Sequence, residues 1–243
     1  MKFRNHLTLM AVTLMMAACQ KDPDIKPIDF SDASYQSLEP YNTQGKPDDL
    51  LKDAISQNLT TFITQTLVDG KNEPLAHPEL FTGINTADVP VNESANIFVT
   101  FVSGNAGYSN TLAFYTYPTG QPPKSGKDVK LITYIFPNAG RNNPLNPGDK
   151  MLLGKFNAGT SIGFVLLQNG WDTTKHTIYT NAIHFCTTDA LNPETDSKLK
   201  RHAVLLDYPG GENLIGFEDK YRTSPECDQD FNDIVFYCTV KPG

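Results

Sequence analysis

The sequence predicts an all-β fold: an antiparallel β-sandwich, jelly-roll-like, with one N-terminal amphipathic helix packed on it. Three observations carry this expectation. From residue 96 onward, short apolar runs rich in β-branched and aromatic residues recur. Clusters of Gly, Pro and Asn separate them, such as Pro137-Asn138-Ala139-Gly140 and Asn146-Pro147-Gly148-Asp149. The spacing does not suit strand–helix–strand units. Many short strands with turns between them make a sandwich, whereas helices alternating with strands would make a parallel sheet.

Taken in order, the first segment is an export signal. Lys2 and Arg4 precede a 12-residue apolar run, residues 7–18, which ends in small residues before Cys19. Twelve apolar residues are too few to span a bilayer, and this order is that of a secretory leader. Met16-Ala17-Ala18-Cys19 resembles the lipobox of bacterial lipoproteins, with Met16 where leucine is usual. The resemblance implies that Cys19 becomes the lipidated first residue of the mature chain. Gln20-Lys21-Asp22 resembles the export signal that sends some lipoproteins to the outer face of the outer membrane. Residues 19–45 then read as a lipidated tether, polar, carrying Pro23, Pro27 and Pro40, and without a lasting period. As a flexible coil it would span about 30 Å.

Residues 46–95 are expected to form a helix and an extended segment against the main domain. The helix is placed at 47–67. Pro47 suits the first helical position, Asp48 and Asp49 suit the first turn, and Leu51, Ile55, Leu59, Phe62 and Ile63 recur at helical spacing. Asp69-Gly70 stops it. The main domain, 96–243, has strand-like runs at 96–103, 111–117, 130–136, 151–156, 161–167, 202–208, 213–217 and 234–240.

Composition narrows the function. Without residues 1–18 the formal charge moves from −7 to −9, because Lys2 and Arg4 leave with no acid. An acidic chain of 225 residues is poorly suited to nucleic acid, which needs basic patches. It is not drawn electrostatically to an anionic membrane either, so attachment would come through the lipid. Beyond Cys19 the cysteines are Cys186, Cys227 and Cys238. Export permits a disulfide, Cys186–Cys227 or Cys186–Cys238, and leaves one thiol over. No Cys-x-x-Cys pair exists to build a thiolate zinc site.

The strongest chemical signal lies near the C-terminus. Gly216-Phe217-Glu218-Asp219 closes one apolar run, and Asp228-Gln229-Asp230-Phe231-Asn232-Asp233 opens the next. If the two runs pair as a hairpin, the oxygen-bearing side chains of Glu218, Asp219, Asp228, Asp230, Asn232 and Asp233 meet. Converging carboxylates repel unless a cation or protons intervene. Calcium takes 6–8 oxygen ligands of this kind, and a structural Ca²⁺ is the expected cofactor. The glycine and the later glutamate of an EF-hand are missing. Two other readings fit the same residues: a solvated acidic loop that caps its own turns, and a pair of carboxylates serving as acid and base in sugar hydrolysis.

These acidic residues, with Ile234-Val235-Phe236, resemble the signature of the LruC-type domain of unknown function found at the C-termini of bacterial surface and secreted proteins. The stretches 104–112, 114–117, 158–164, 169–171 and 190–194 are similar to it too. The resemblance spans about residues 95–240 and implies a surface location and this architecture. The loop 220–227, with Pro225 and Cys227, is longer than the family's short glycine-rich loop.

Other candidates carry less. Gly104-Asn105-Ala106-Gly107 lacks the Lys and Ser/Thr of a phosphate loop and suits a hairpin turn. Tyr108 and Trp171 could form an aromatic platform for a sugar, against the commoner outcome of a half-buried strand-end Trp. The functional expectation is a non-catalytic, surface-exposed lipoprotein that binds a glycan or a surface protein. The alternatives are a carbohydrate-active hydrolase and a structural subunit of a surface assembly.

Overall fold

Each of the eight apolar runs forms a strand. The computed structural model describes residues 25–82 and 87–243; the leader and Cys19 lie outside the described residues. In chain order the elements are β1 (Ser34–Ser37), β2 (Leu51–Lys52), α1 (Gln57–Thr66), α2 (Glu73–Ala76), β3 (Val89–Val91), β4 (Ala95–Ser103) and β5 (Thr111–Pro118). Then follow β6 (Leu131–Phe136), β7 (Asp149–Phe156), β8 (Thr160–Gln168), β9 (Trp171–Asp172), β10 (Thr177–Ile178) and β11 (Ile183–Cys186). The last three are β12 (Ala203–Asp207), β13 (Asn213–Phe217) and β14 (Ile234–Pro242).

Two six-stranded sheets hold twelve of these strands, and β9 pairs antiparallel with β10 apart from them. The first runs β1-β6-β5-β8-β11, with β3 also on β8; the second runs β12-β13-β14-β4-β7-β2. Pairing is antiparallel throughout these sheets except where β1 lies parallel to β6. The chain changes sheets at every step from β1 to β5 and again at β6–β7, β7–β8 and β11–β12, then closes with the meander β12-β13-β14.

Strand alternation sorts the core. Side chains two apart share a face, so Ile97, Val99 and Phe101 of β4 meet Ile162, Phe164 and Leu166 of β8 between the sheets, with Ile215, Phe217, Ile234 and Phe236. Most of the intervening residues are buried as well, Phe98 being half-buried. Val165 and Leu167 face a second cluster with Phe30, Ile132, Tyr134 and Leu191. On the far side, Val204, Leu214 and Val235 face Leu59, Ile63 and Leu67 of the α1 region. Coverage of both faces explains why runs such as Ser161–Leu167 read as nearly continuous apolar sequence. Burying Leu59 and Ile63 is worth about 1.5–3 kcal/mol each.

The helix is shorter than the spacing predicts. It starts at Gln57, with Ser56 as N-cap accepting from the Leu59 N–H at 3.1 Å. Residues 47–52 are not helical: Pro47 bridges Tyr41, and Leu51 and Lys52 pair with β7. Leu51 is 49% exposed, so it adds nothing to an apolar stripe. Sheet-edge hydrogen bonds have overridden the local helical pattern here, as tertiary context does for marginal signals.

The tether expectation also needs correction within its described part. Ser34–Ser37 pairs in register with Leu131–Tyr134, and Phe30 is buried. Phe30 stacks on His184, with ring centroids 4.5 Å apart. The His184 Nδ1 faces the Ala182 carbonyl at 2.8 Å and Nε2 faces the Tyr35 hydroxyl at 3.1 Å. A carbonyl can only accept, so Nδ1 carries the proton and Nε2 accepts from tyrosine. The three cysteines of the main domain are all free, and Cys186 and Cys238 are buried separately as apolar side chains.

Candidate metal centre

The hairpin that would gather the acids forms. Phe217 pairs with Ile234 and Gly216 with Val235, so Glu218 and Asp219 leave β13 where Asp233 enters β14. Asp233 donates its N–H to the Phe217 carbonyl at 3.1 Å. The preceding loop folds back over β13. A Cβ on Gly216 would sit 2.4 Å from the Phe231 carbonyl oxygen, so this crossing requires glycine.

Gln229 and Phe231 are both left-handed, at φ 60° and 57°. Such backbone costs non-glycine residues about 1–2 kcal/mol each, and strain of this type clusters at functional sites. Phe231 is fully buried in the cluster under α1, 5.0 Å from Phe81, which offsets its strain. The Gly70 N–H, just past α1, donates to Asp230 Oδ2 at 2.8 Å. The Glu73 N–H of α2 donates to the Gln229 carbonyl at 2.9 Å. Two segments over 150 residues upstream therefore hold the acidic loop in place.

The structure assembles the predicted acids into two groups. Glu218, Asp219 and Asp233, all buried, offer oxygens within 4.8 Å of one another. Glu218, Asp228 and Asp230 do the same, with Asp228 exposed. Asn232 is 9% exposed, and its N–H donates to Asp230 Oδ1 at 3.1 Å.

Few donors reach the inner group. Asp219 Oδ2 accepts from Asn110 Nδ2 at 2.6 Å, and Asp233 Oδ2 from the Asp219 N–H at 2.7 Å. Glu218 Oε1 receives a long contact from the Lys220 N–H at 3.3 Å. Glu218 Oε2 and Asp219 Oδ1 are buried acceptors with no donor. Among the described residues, no lysine or arginine forms an ion pair with Glu218, Asp219 or Asp233. Lys220 turns its ammonium to the Glu226 carbonyl at 2.9 Å, and Arg222 donates to Gln229 Oε1 at 2.9 Å.

Burial without cations disfavours ionisation. Desolvation, then the nearby Asp228 and Asp219 charges, pushes Glu218 up to about 7. Desolvation pushes Asp219 up to about 6, against the pull of Asn110 and Lys220. Asp233 is held well above the carboxylate range by burial, then by Asp219 and Glu218. Asp230 is raised by burial. Cys227 is raised by burial and by Glu218, so its sulfur is a thiol.

Residues beyond the acidic motif complete the setting. Asn110 Oδ1 accepts from the Asn169 N–H at 2.9 Å, fixing the amide that reaches Asp219. Gln168 Nε2 donates to the Asp219 carbonyl at 2.7 Å. His202 places Nδ1 3.2 Å from the Glu218 carbonyl and Nε2 2.9 Å from Glu194 Oε1. Both ring nitrogens face acceptor oxygens. Glu194 is correspondingly held below its ordinary value, its desolvation outweighed by the His202 bond. No sequence signal tied Asn110, Gln168, Gly70 or Glu194 to this corner, because they reach it only through strand order.

The aromatic platform does not form. Trp171 is 3% exposed and sits edge-on to Tyr41 at 5.7 Å, so its face is closed to a sugar. Tyr108 is half-buried.

Residues 156–241 match the family model of a domain of unknown function, DUF4114. The match runs from the end of β7 through most of β14 and contains all six acidic candidates. No curated protein and no solved structure matches the chain.

Proposed function

We propose that this chain is a non-catalytic binding module of a lipid-anchored bacterial surface protein, with a structural calcium site that shapes one end of its sandwich. The observation that carries the calcium part is the pair of enclosed acceptors, Glu218 Oε2 and Asp219 Oδ1, in a cluster of acids that has no lysine or arginine ion pair among the described residues. Buried polar oxygens are expensive unless something donates to them or coordinates them. Ligands 2.3–2.6 Å from one calcium lie within about 5 Å of each other, which the spacing of both groups permits. Carboxylate and amide oxygens are also the donor set this hard cation prefers.

Surface display rests on the leader, on Cys19 and on the resemblance of the acidic motif to the LruC-type domain. The cation would neutralise the corner and hold Asp228–Asp233 in one shape, leaving neighbouring loops preorganised for a glycan or a surface protein. Burial of Glu218 and Asp219 at zero exposure weighs against the hydrolase alternative, since a glycosidic bond must reach its acid and base across an open cleft.

The test is thermal unfolding of the chelator-treated protein. Calcium at about 100 times its Kd adds about 2.7 kcal/mol, a rise in Tm of roughly 5–10 °C for a domain of this size. Asp219→Ala should remove the rise. An unchanged Tm in the intact protein at millimolar calcium would overturn the calcium site.

A further inference from the structure

We infer that the corner is a two-cation site in which Glu218 bridges an enclosed inner ion and a solvent-facing outer ion. This rests on the calcium reading above and goes further in number, arrangement and division of labour. The two ligand groups share Glu218 and no other residue: Asp219 and Asp233 belong to one, Asp228 and Asp230 to the other. A carboxylate has two oxygens and can serve one ion with each. Glu218 is fully buried where the groups meet, and Oε2 has no donor.

Charge points the same way. Five carboxylates, Glu218, Asp219, Asp228, Asp230 and Asp233, carry a formal −5 when ionised, and a single divalent ion would leave −3 in a buried corner. Two leave −1. At low effective dielectric the difference between −3 and −1 is a large electrostatic cost.

The two positions differ in access. The inner group is made of three buried residues, with Asn110 directed at Asp219. The outer group includes the exposed Asp228, so water can complete its coordination and exchange is easier. The inner ion is therefore the structural one. The outer ion is weaker and responds to calcium outside the protein, while Asp230 ties it to Gly70 at the end of α1.

Stoichiometry decides the matter. Calorimetric titration of the chelated full chain with calcium, checked by native mass spectrometry, should give two ions, one bound at least tenfold more tightly. Asp228→Asn, an exposed change that leaves the fold intact, should remove the weaker ion and keep the tighter. A single ion in the wild-type chain, unaffected by Asp228→Asn, would overturn the two-ion inference and leave the calcium reading standing. Two ions in the wild-type chain that both survive Asp228→Asn would overturn the outer assignment. No bound calcium would overturn the reading beneath it.

Discussion

Two fully buried aspartates in this protein meet opposite surroundings. Asp149, at the start of β7, is ion-paired with Lys52, lies 3.4 Å from the Lys46 ammonium and accepts from the Asn146 N–H at 3.0 Å. Its carboxyl is held below the ordinary value by those partners against its own desolvation. Asp219, beyond β13, has one amide donor and two neighbouring carboxylates, and its carboxyl is pushed up. The first is a self-contained structural pair. The second is a site of concentrated negative charge with no ion-paired lysine or arginine among the described residues. Both carboxylates are closed to solvent, and what separates the structural buried acid from the ligand-ready one is the sign of its neighbours together with the deeper burial of Asp219.

Neutralising each side should give opposite results. Asp149→Asn deprives Lys52 and Lys46 of their carboxylate and should cost about 1–3 kcal/mol, the worth of charge-assisted hydrogen bonds. Denaturant titration should show the same loss with and without calcium. Asp233→Asn keeps an oxygen for the Asp219 N–H and removes a carboxyl whose ionisation burial and the neighbouring acids oppose. In chelator it should raise stability by roughly 1–2 kcal/mol, at about 1.4 kcal/mol per pKa unit, and it should weaken the calcium response. A loss of stability in chelator would show that Asp233 is held by attractive partners, as Asp149 is.

The smallest expected effect concerns the N-terminal strap, a third way of burying a titratable group. His184 is buried neutral, and desolvation lowers it to about 4. Its folded value lies below its unfolded one, so the unfolded chain binds the proton first as pH falls. The contribution is complete above about pH 6.5 and is lost progressively toward pH 4. Between pH 7 and 5.5 the loss is about 1 kcal/mol. Hydrogen exchange at Ser34–Ser37 should quicken over that interval, and His184→Gln should flatten the dependence. Exchange that stays constant with pH would remove His184 from the strap's support.

Legibility followed the range of the interactions. The eight principal strands announce themselves because apolar residues, β-branching and Gly/Pro punctuation are local properties. Six further strands, each of two to four residues, lie below any useful period. The helix starts later than its sequence suggests because Pro47, Asp48 and Asp49 satisfy local rules for a helix N-terminus, whereas pairing of Leu51 and Lys52 with β7 depends on a strand about 100 residues away. Ser56, the true cap, was legible only after that competition was settled.

For the acidic corner, residue type and adjacency to two apolar runs nominate six side chains, of which five carboxylates fall into the two groups. Sequence alone, then, determined the class of fold, the principal strands and the chemical nature of the corner, because these follow from short-range periodicity and side-chain identity. Tertiary structure decided that the acids divide into an enclosed group and an open one joined at Glu218. It also supplied Asn110, Gly70 and His202 from distant segments and closed the face of Trp171. Those outcomes depend on which strands become neighbours, and in a sandwich that is set by long-range pairing and packing on both faces of each sheet.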